Sequence, residues 1–141
     1  MNTPSDVSAG EPIWLTFEDV GRVHDDQLRR YGGLSGIYNE NLIHGAIAAP
    51  RNLYFYQNVE DVLLLATRLC QAIAKAHGYT DGNKRTATAG MLLFLGINGF
   101  SVHVPDDTVE QPLAGLIEQL TAGGIDFYDL ADALHPYTHI V

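Results

Sequence analysis

His77-Gly-Tyr-Thr-Asp-Gly-Asn-Lys-Arg-Thr86 is the stretch whose reading decides the fold. Upstream of it, Val62, Leu65, Ala66, Leu69, Ile73 and Ala76 recur at helical spacing and define a central helix that ends near His77 and Gly78. Downstream, a second helix is predicted from about Asn83, carrying Ala87, Met91, Leu92, Phe94 and Leu95 and ending at Asn98-Gly99. A turn that feeds a helix N-terminus gathers unpaired N–H groups at the positive end of the helix dipole, and so can hold an anion. An imidazole, a carboxylate and two adjacent cations at the same turn make it a candidate phosphoryl-transfer site.

Each residue type has a chemical job there. Gly82 can adopt φ > 0 and fold the backbone into a nest of N–H groups. Asn83 tolerates a turn conformation, and its amide can orient either the loop or a ligand oxygen. Asp81 is a hard oxygen ligand suited to Mg²⁺ on nucleotide phosphates. Lys84 and Arg85 can neutralise phosphate charge, Arg85 with a planar fork of donors. His77 has the side chain best suited to accept a proton from an attacking hydroxyl near neutral pH. Structural duties are open for the same groups: His77 as a cap on the preceding helix, and Asp81 as the partner of Arg85 one turn on.

Working outward, Thr16-Phe-Glu-Asp19 reads as a helix start running to about Arg30, and Tyr31-Gly-Gly-Leu-Ser-Gly36 as a turn-rich break. Asn39 starts a helix carrying Leu42, Ile43, Ala46 and Ile47, which Pro50 is expected to limit. Residues 51–57 are aromatic and read as extended, either a substrate flap or a packed loop, with Asn58 as N-cap of the central helix. Ser101–Val104 reads as one short strand. Asp106–Thr108 caps a helix to about Thr121, Gly123-Gly124 breaks it, and Asp126 opens a last helix to about His135. Residues 1–12 read as a flexible leader and 13–141 as a single domain, compact and all-helical.

Composition narrows the function. The formal net charge is −9 and the chain has only eight Lys and Arg, which argues against a basic nucleic-acid track. Both lysines, Lys75 and Lys84, flank the loop, as fits a small anionic ligand. Apolar runs are too short for a membrane span, no secretory signal opens the chain, and the lone Cys70 suits a cytoplasmic protein. Cys70 has no charged neighbour that would make it a nucleophile. His24, His44, His103, His135 and His139 lack metal-ligand spacing and are assigned structural or solvent roles.

The loop resembles the His-x-Phe-x-Asp-Gly-Asn-x-Arg signature of the Fic/Doc (Fido) superfamily, and Asp81-Gly-Asn-Lys-Arg-Thr-Ala87 matches the usual form of its Doc (death on curing) toxin branch. The likeness spans roughly residues 13–135 and includes Arg30-Tyr-Gly-Gly-Leu34 and Val104-Pro105-Asp106. The resemblance implies an all-α fold with the active loop between two central helices. It implies His77 as base, Asp81 as Mg²⁺ ligand, Gly82 and Asn83 as anion hole, and Lys84 and Arg85 on the phosphates of ATP. Lys75 and Arg30 stand where Doc proteins often carry basic residues. Adenylyl-transferring members usually have Gly at the position of Lys84 and a second Arg at that of Thr88; the departure implies γ-phosphate transfer, as in Doc kinases acting on elongation factor Tu. An adenylyltransferase, or a binding module without turnover, is the alternative. Tyr79 replaces the usual Phe, and Gly78 replaces a Pro or apolar residue and is expected to loosen the loop. No Ser/Thr-x-x-x-Glu inhibitory helix is found, so the resemblance implies inhibition by a separate antitoxin protein.

Overall fold

The computed structural model describes residues 10–103 and 113–141, which form six α-helices and one two-stranded sheet. Helix α1 (Phe17–Tyr31) starts at a capping box: the Thr16 hydroxyl accepts the Asp19 N–H at 3.1 Å and the Asp19 carboxylate accepts the Thr16 N–H at 2.9 Å. It stops at Gly32, whose φ of 80° a side-chain-bearing residue adopts only with strain.

Helix α2 (Glu40–Gln57), capped by Asn39, runs through Pro50 and past the expected stop. The proline removes one ladder hydrogen bond, but Ala46, Ile47, Ala49, Pro50 and Leu53 are buried, and that packing outweighs the local preference. The aromatic run 51–57 is therefore the last two turns of α2, neither extended nor a flap. Tyr54 meets Trp14 edge-on with ring centroids 5.6 Å apart, and Trp14 stacks on Phe94 at 5.8 Å. Asn58 is also reassigned. It is the left-handed C-cap of α2 with φ 57°, and Asp61 caps helix α3 (Val62–Ala76) through the N–H groups of Leu63 and Leu64.

Helices α3 and α4 (Asn83–Ile97) form the centre, with Leu65, Ala66, Ala74, Ala87, Met91 and Phe94 fully buried. Cys70 lies in the same core, and burial pushes its thiol up to about 12, so it stays protonated. Strand β1 (Phe100–Val102) follows α4. Helix α5 (Leu113–Ala122) precedes Gly123, and helix α6 (Phe127–Leu134) starts at an Asp126–Asp129 capping box. The expected helix start at Asp106–Thr108 and the Val104–Asp106 match lie outside the described residues, as do residues 1–9 of the leader.

The last helix ends at Leu134, with His135 as its C-cap, where the sequence places its end. A 3₁₀ turn at His135–Tyr137 leads into β2 (Thr138–Ile140), which pairs antiparallel with β1 in the register Phe100↔Ile140, Ser101↔His139 and Val102↔Thr138. The sheet fastens the end of the chain to the end of α4. One hydrophobic core runs from Leu15 to Leu134. No helix among the described residues is long and apolar enough to cross a membrane.

Candidate active site

The junction between α3 and α4 is a loop whose backbone is held on several sides. His77 is the C-cap of α3 in the left-handed conformation, φ 52° and ψ 42°, which is uncommon for a residue with a side chain. The Gly78 carbonyl accepts N–H groups from Tyr38 and Asn39 at 2.8 and 2.9 Å. Gly78 does not loosen the loop: a Cβ there would collide with the Ile43 side chain, so α2 packs directly on its backbone. Ile37 and Tyr79 form an antiparallel bridge, and Thr80 donates its N–H to Gly36 at 3.0 Å. The turn-rich segment 32–39 is thus the loop's neighbour.

Asn83 accepts the Tyr79 N–H at 3.0 Å and donates to the Tyr79 carbonyl at 2.9 Å. Its amide orients the loop, and its backbone N–H and the second amide hydrogen remain for an anion. Gly82, φ 78°, is the N-cap of α4 without any side-chain cap, so the first N–H groups of α4 keep no intrahelical partner. They open onto a cavity of about 800 Å³. His77, Asp81, Gly82, Asn83, Lys84 and Arg85 all line it. Gln27 and Tyr31 of α1 form one wall, and Leu113, Ile117 and Glu118 of α5 another.

Asp81 faces this cavity as an oriented carboxylate. One oxygen accepts the Leu34 N–H at 3.1 Å and the other the Gly82 N–H at 2.8 Å. The Leu34 bond, then the Gly82 bond, and the charges of Arg85 and His24 hold its pKa below the ordinary carboxylate value. A carboxylate has about four lone-pair sites, so capacity remains for a cation after these two bonds. Among the described residues no three His, Cys, Asp or Glu side chains converge into a metal cage. A hard cation that keeps waters and leans on phosphate oxygens fits a single such carboxylate.

The cations are partly engaged. Arg85 donates to the carbonyl oxygens of Gly32 at 3.0 Å and Gln27 at 3.4 Å, tying the loop to the C-terminal end of α1. It also lies over the Tyr31 ring at 5.9 Å. Lys84 forms an ion pair with Glu118 of α5 at 2.6 Å. The Thr88 hydroxyl turns back to the Lys84 carbonyl at 3.0 Å. Lys75 and Arg30 are not among the cavity-lining residues: the Lys75 ammonium lies against the Gly123 turn, and Arg30 pairs with Asp26 at 2.9 Å.

Two contributors escaped the reading of the loop. Glu118 enters from α5. His24, one turn after Val20 on the buried face of α1, donates from Nε2 to the Asp81 carbonyl at 2.8 Å and stacks on Tyr79. The signal available was a titratable residue on an otherwise apolar helical stripe. Tyr79 itself is buried, as its anchoring role requires, but among the described residues its hydroxyl has no hydrogen-bond partner, and burial, with the nearby Asp25 charge, pushes its pKa up to about 12. Tyr79→Phe is therefore expected to stabilise the fold by about 1 kcal/mol, because it removes an unpaired polar group and keeps the ring. Thermal unfolding checks this; a lower Tm would show that the hydroxyl is satisfied in solution.

An all-α core that presents an uncapped helix N-terminus, an oriented carboxylate and an imidazole to one cavity defines a class of protein. The sequence pattern described as the Fic/DOC family matches residues 14–95, and the chain belongs to that family. It is similar to Protein kinase doc of Escherichia phage P1, 32% identical over 120 residues that make up 85% of this chain and 91% of that protein. It is also similar to Toxin Doc of Mycolicibacterium smegmatis, 36% identical over 70 residues, 49% of this chain and 54% of that one.

Proposed function

We propose that the chain is a Doc-type toxin that transfers the γ-phosphate of ATP to a hydroxyl of a translation protein, with elongation factor Tu the target by resemblance. One observation carries the choice of phosphate: on the α4 face that lines the cavity stands Thr88, its hydroxyl bound to the helix backbone, so no second guanidinium is there to hold the triphosphate with its α-phosphate toward the target. The phage P1 relative named as a protein kinase supports the same direction.

In this reading His77 takes the proton of the target hydroxyl as its oxygen forms a bond to the γ-phosphorus. The bond from that phosphorus to the β-bridging oxygen breaks, and ADP leaves with the electron pair. The N–H groups at the start of α4 and the Lys84 ammonium stabilise negative charge on the phosphoryl oxygens. Asp81 would hold Mg²⁺, which supplies further charge neutralisation on the phosphates when bound. Leu92, Leu113 and Ile117 give the cavity an apolar side that can exclude water from a bound nucleotide. Cytoplasmic residence and an antitoxin partner belong to the same proposal.

ATP labelled at the α- or the γ-phosphate tests it. Label on the target from the γ-position alone is the expected result. Transfer from the α-position alone makes the chain an adenylyltransferase, and transfer from neither, beside an active Doc kinase, makes it a binding module.

The Lys84–Glu118 pair adds a quantitative expectation. Exposed ion pairs are worth about 0.2–1 kcal/mol, and Glu118 competes with phosphate for the same ammonium. Glu118→Gln is expected to tighten ATP binding about 1.4- to 5-fold by calorimetric titration. Unchanged or weaker binding would show that the pair opens without cost.

A further inference from the structure

His24 sits beneath the loop and touches it twice. Its ring is 3% exposed and lies flat against Tyr79, with centroids 3.8 Å apart and 11° between planes. Its Nε2 meets the Asp81 carbonyl oxygen at 2.8 Å, and since a carbonyl only accepts, that nitrogen carries the proton. Its Nδ1 lies 3.9 Å from the exposed Asp25 carboxylate. His24 itself does not line the cavity.

The bonded carbonyl belongs to the peptide that supplies the Gly82 N–H. That unit is planar and trans, so its C=O and N–H point in opposite directions. With the carbonyl drawn to His24, the Gly82 N–H is turned to the other face, where it meets the Asp81 carboxylate at 2.8 Å beside the open start of α4. Gly82 does not enforce this by itself. A peptide followed by glycine can rotate with little steric penalty, because φ of either sign is accessible. The rotated form would aim an oxygen where the anion nest needs a hydrogen. It would also remove one of the two N–H bonds that orient Asp81.

We propose that His24 is a positioning residue, which selects the peptide orientation that makes the loop a phosphate nest and holds the Asp81 carboxylate in place. Its kinetic consequence rests on the phosphotransfer reading; its structural consequence does not. The Tyr79 stack fixes the imidazole plane, so the hydrogen bond has one direction.

Three variants in the full chain separate the donor from the ring. His24→Phe keeps a ring for the stack and loses the donor. His24→Gln places an amide nitrogen at the reach of Nε2, and His24→Asn places it one bond short. Each is compared with the wild type by the amide resonance of Gly82 and by phosphate transfer from ATP with Mg²⁺. The Gly82 resonance is expected to move in the Phe and Asn variants and to return toward the wild-type position in the Gln variant. Turnover should fall about 10–100-fold in the Phe and Asn variants, and Gln should recover it to within a few-fold. A Gly82 resonance at the wild-type position in His24→Phe overturns the proposal, as does a Gln variant no better than Phe by this measure. If the wild type transfers no phosphate, the phosphotransfer reading fails, and the resonance still decides the role of His24.

Discussion

Replacing His77 by alanine is expected to lower phosphate transfer by about 10²–10⁴-fold while the chain stays folded. The side chain is exposed to the cavity and makes none of the hydrogen bonds that hold the loop, which run through the Gly78 carbonyl, Asn83 and Asp81. Its backbone carries the structural duty as the left-handed cap of α3. The two duties can be separated. Left-handed backbone costs a side-chain-bearing residue about 1–2 kcal/mol, a penalty glycine escapes, although glycine has more conformational freedom to lose on folding. His77→Gly should therefore be as inactive as His77→Ala and more stable by about 1 kcal/mol. Single-turnover transfer rates and unfolding midpoints check both statements. An alanine variant that transfers at the wild-type rate removes His77 as the base.

Asp81→Asn should abolish the Mg²⁺ dependence of ATP binding and cut transfer at least about 10²-fold, since metal neutralisation of phosphate charge is worth several kcal/mol. The substitution replaces one accepting oxygen by an amide that donates, so the Leu34 or the Gly82 N–H also loses its acceptor. Measuring ATP affinity across a magnesium titration separates the effects. Loop disturbance alone weakens binding and preserves the slope, whereas loss of the ligand flattens it. An unchanged titration excludes Asp81 from metal binding. The pH behaviour follows from the lowered pKa. A carboxyl group with a depressed folded-state pKa contributes stability that is present above its ordinary value and lost as pH falls through the lowered one. Asp81 thus stays ionised throughout the neutral and mildly acidic range, and any activity change there comes from another group.

The legible parts of this chain are those written in local chemistry. Thr16 with Asp19, Asp61 before α3 and Asp126 with Asp129 cap helices through contacts within three residues, although Asp61 was passed over for Asn58. The loop of residues 77–86 is readable as the junction of α3 and α4 because apolar residues at helical spacing flank it on both sides. What stayed hidden depends on distant partners. Pro50 reads as a stop until the burial of Ala46 and Leu53 is known. Strand β2 exists only because β1 offers it a register. His24 reaches a carbonyl 57 positions away and Glu118 an ammonium 34 positions away, so neither has a local signature. The helical state of residues 51–57, read as extended, has the same cause, since Tyr54 and Phe55 find their partner in Trp14.

The cavity draws one wall from Gln27 and Tyr31 and another from Leu113, Ile117 and Glu118. During synthesis, the segments holding His77 and Asp81 are made before α5. Such a nascent chain carries the α4 terminus with Lys84 free of its carboxylate partner and one side open to water. The cavity is therefore complete only once α5 has docked on α4.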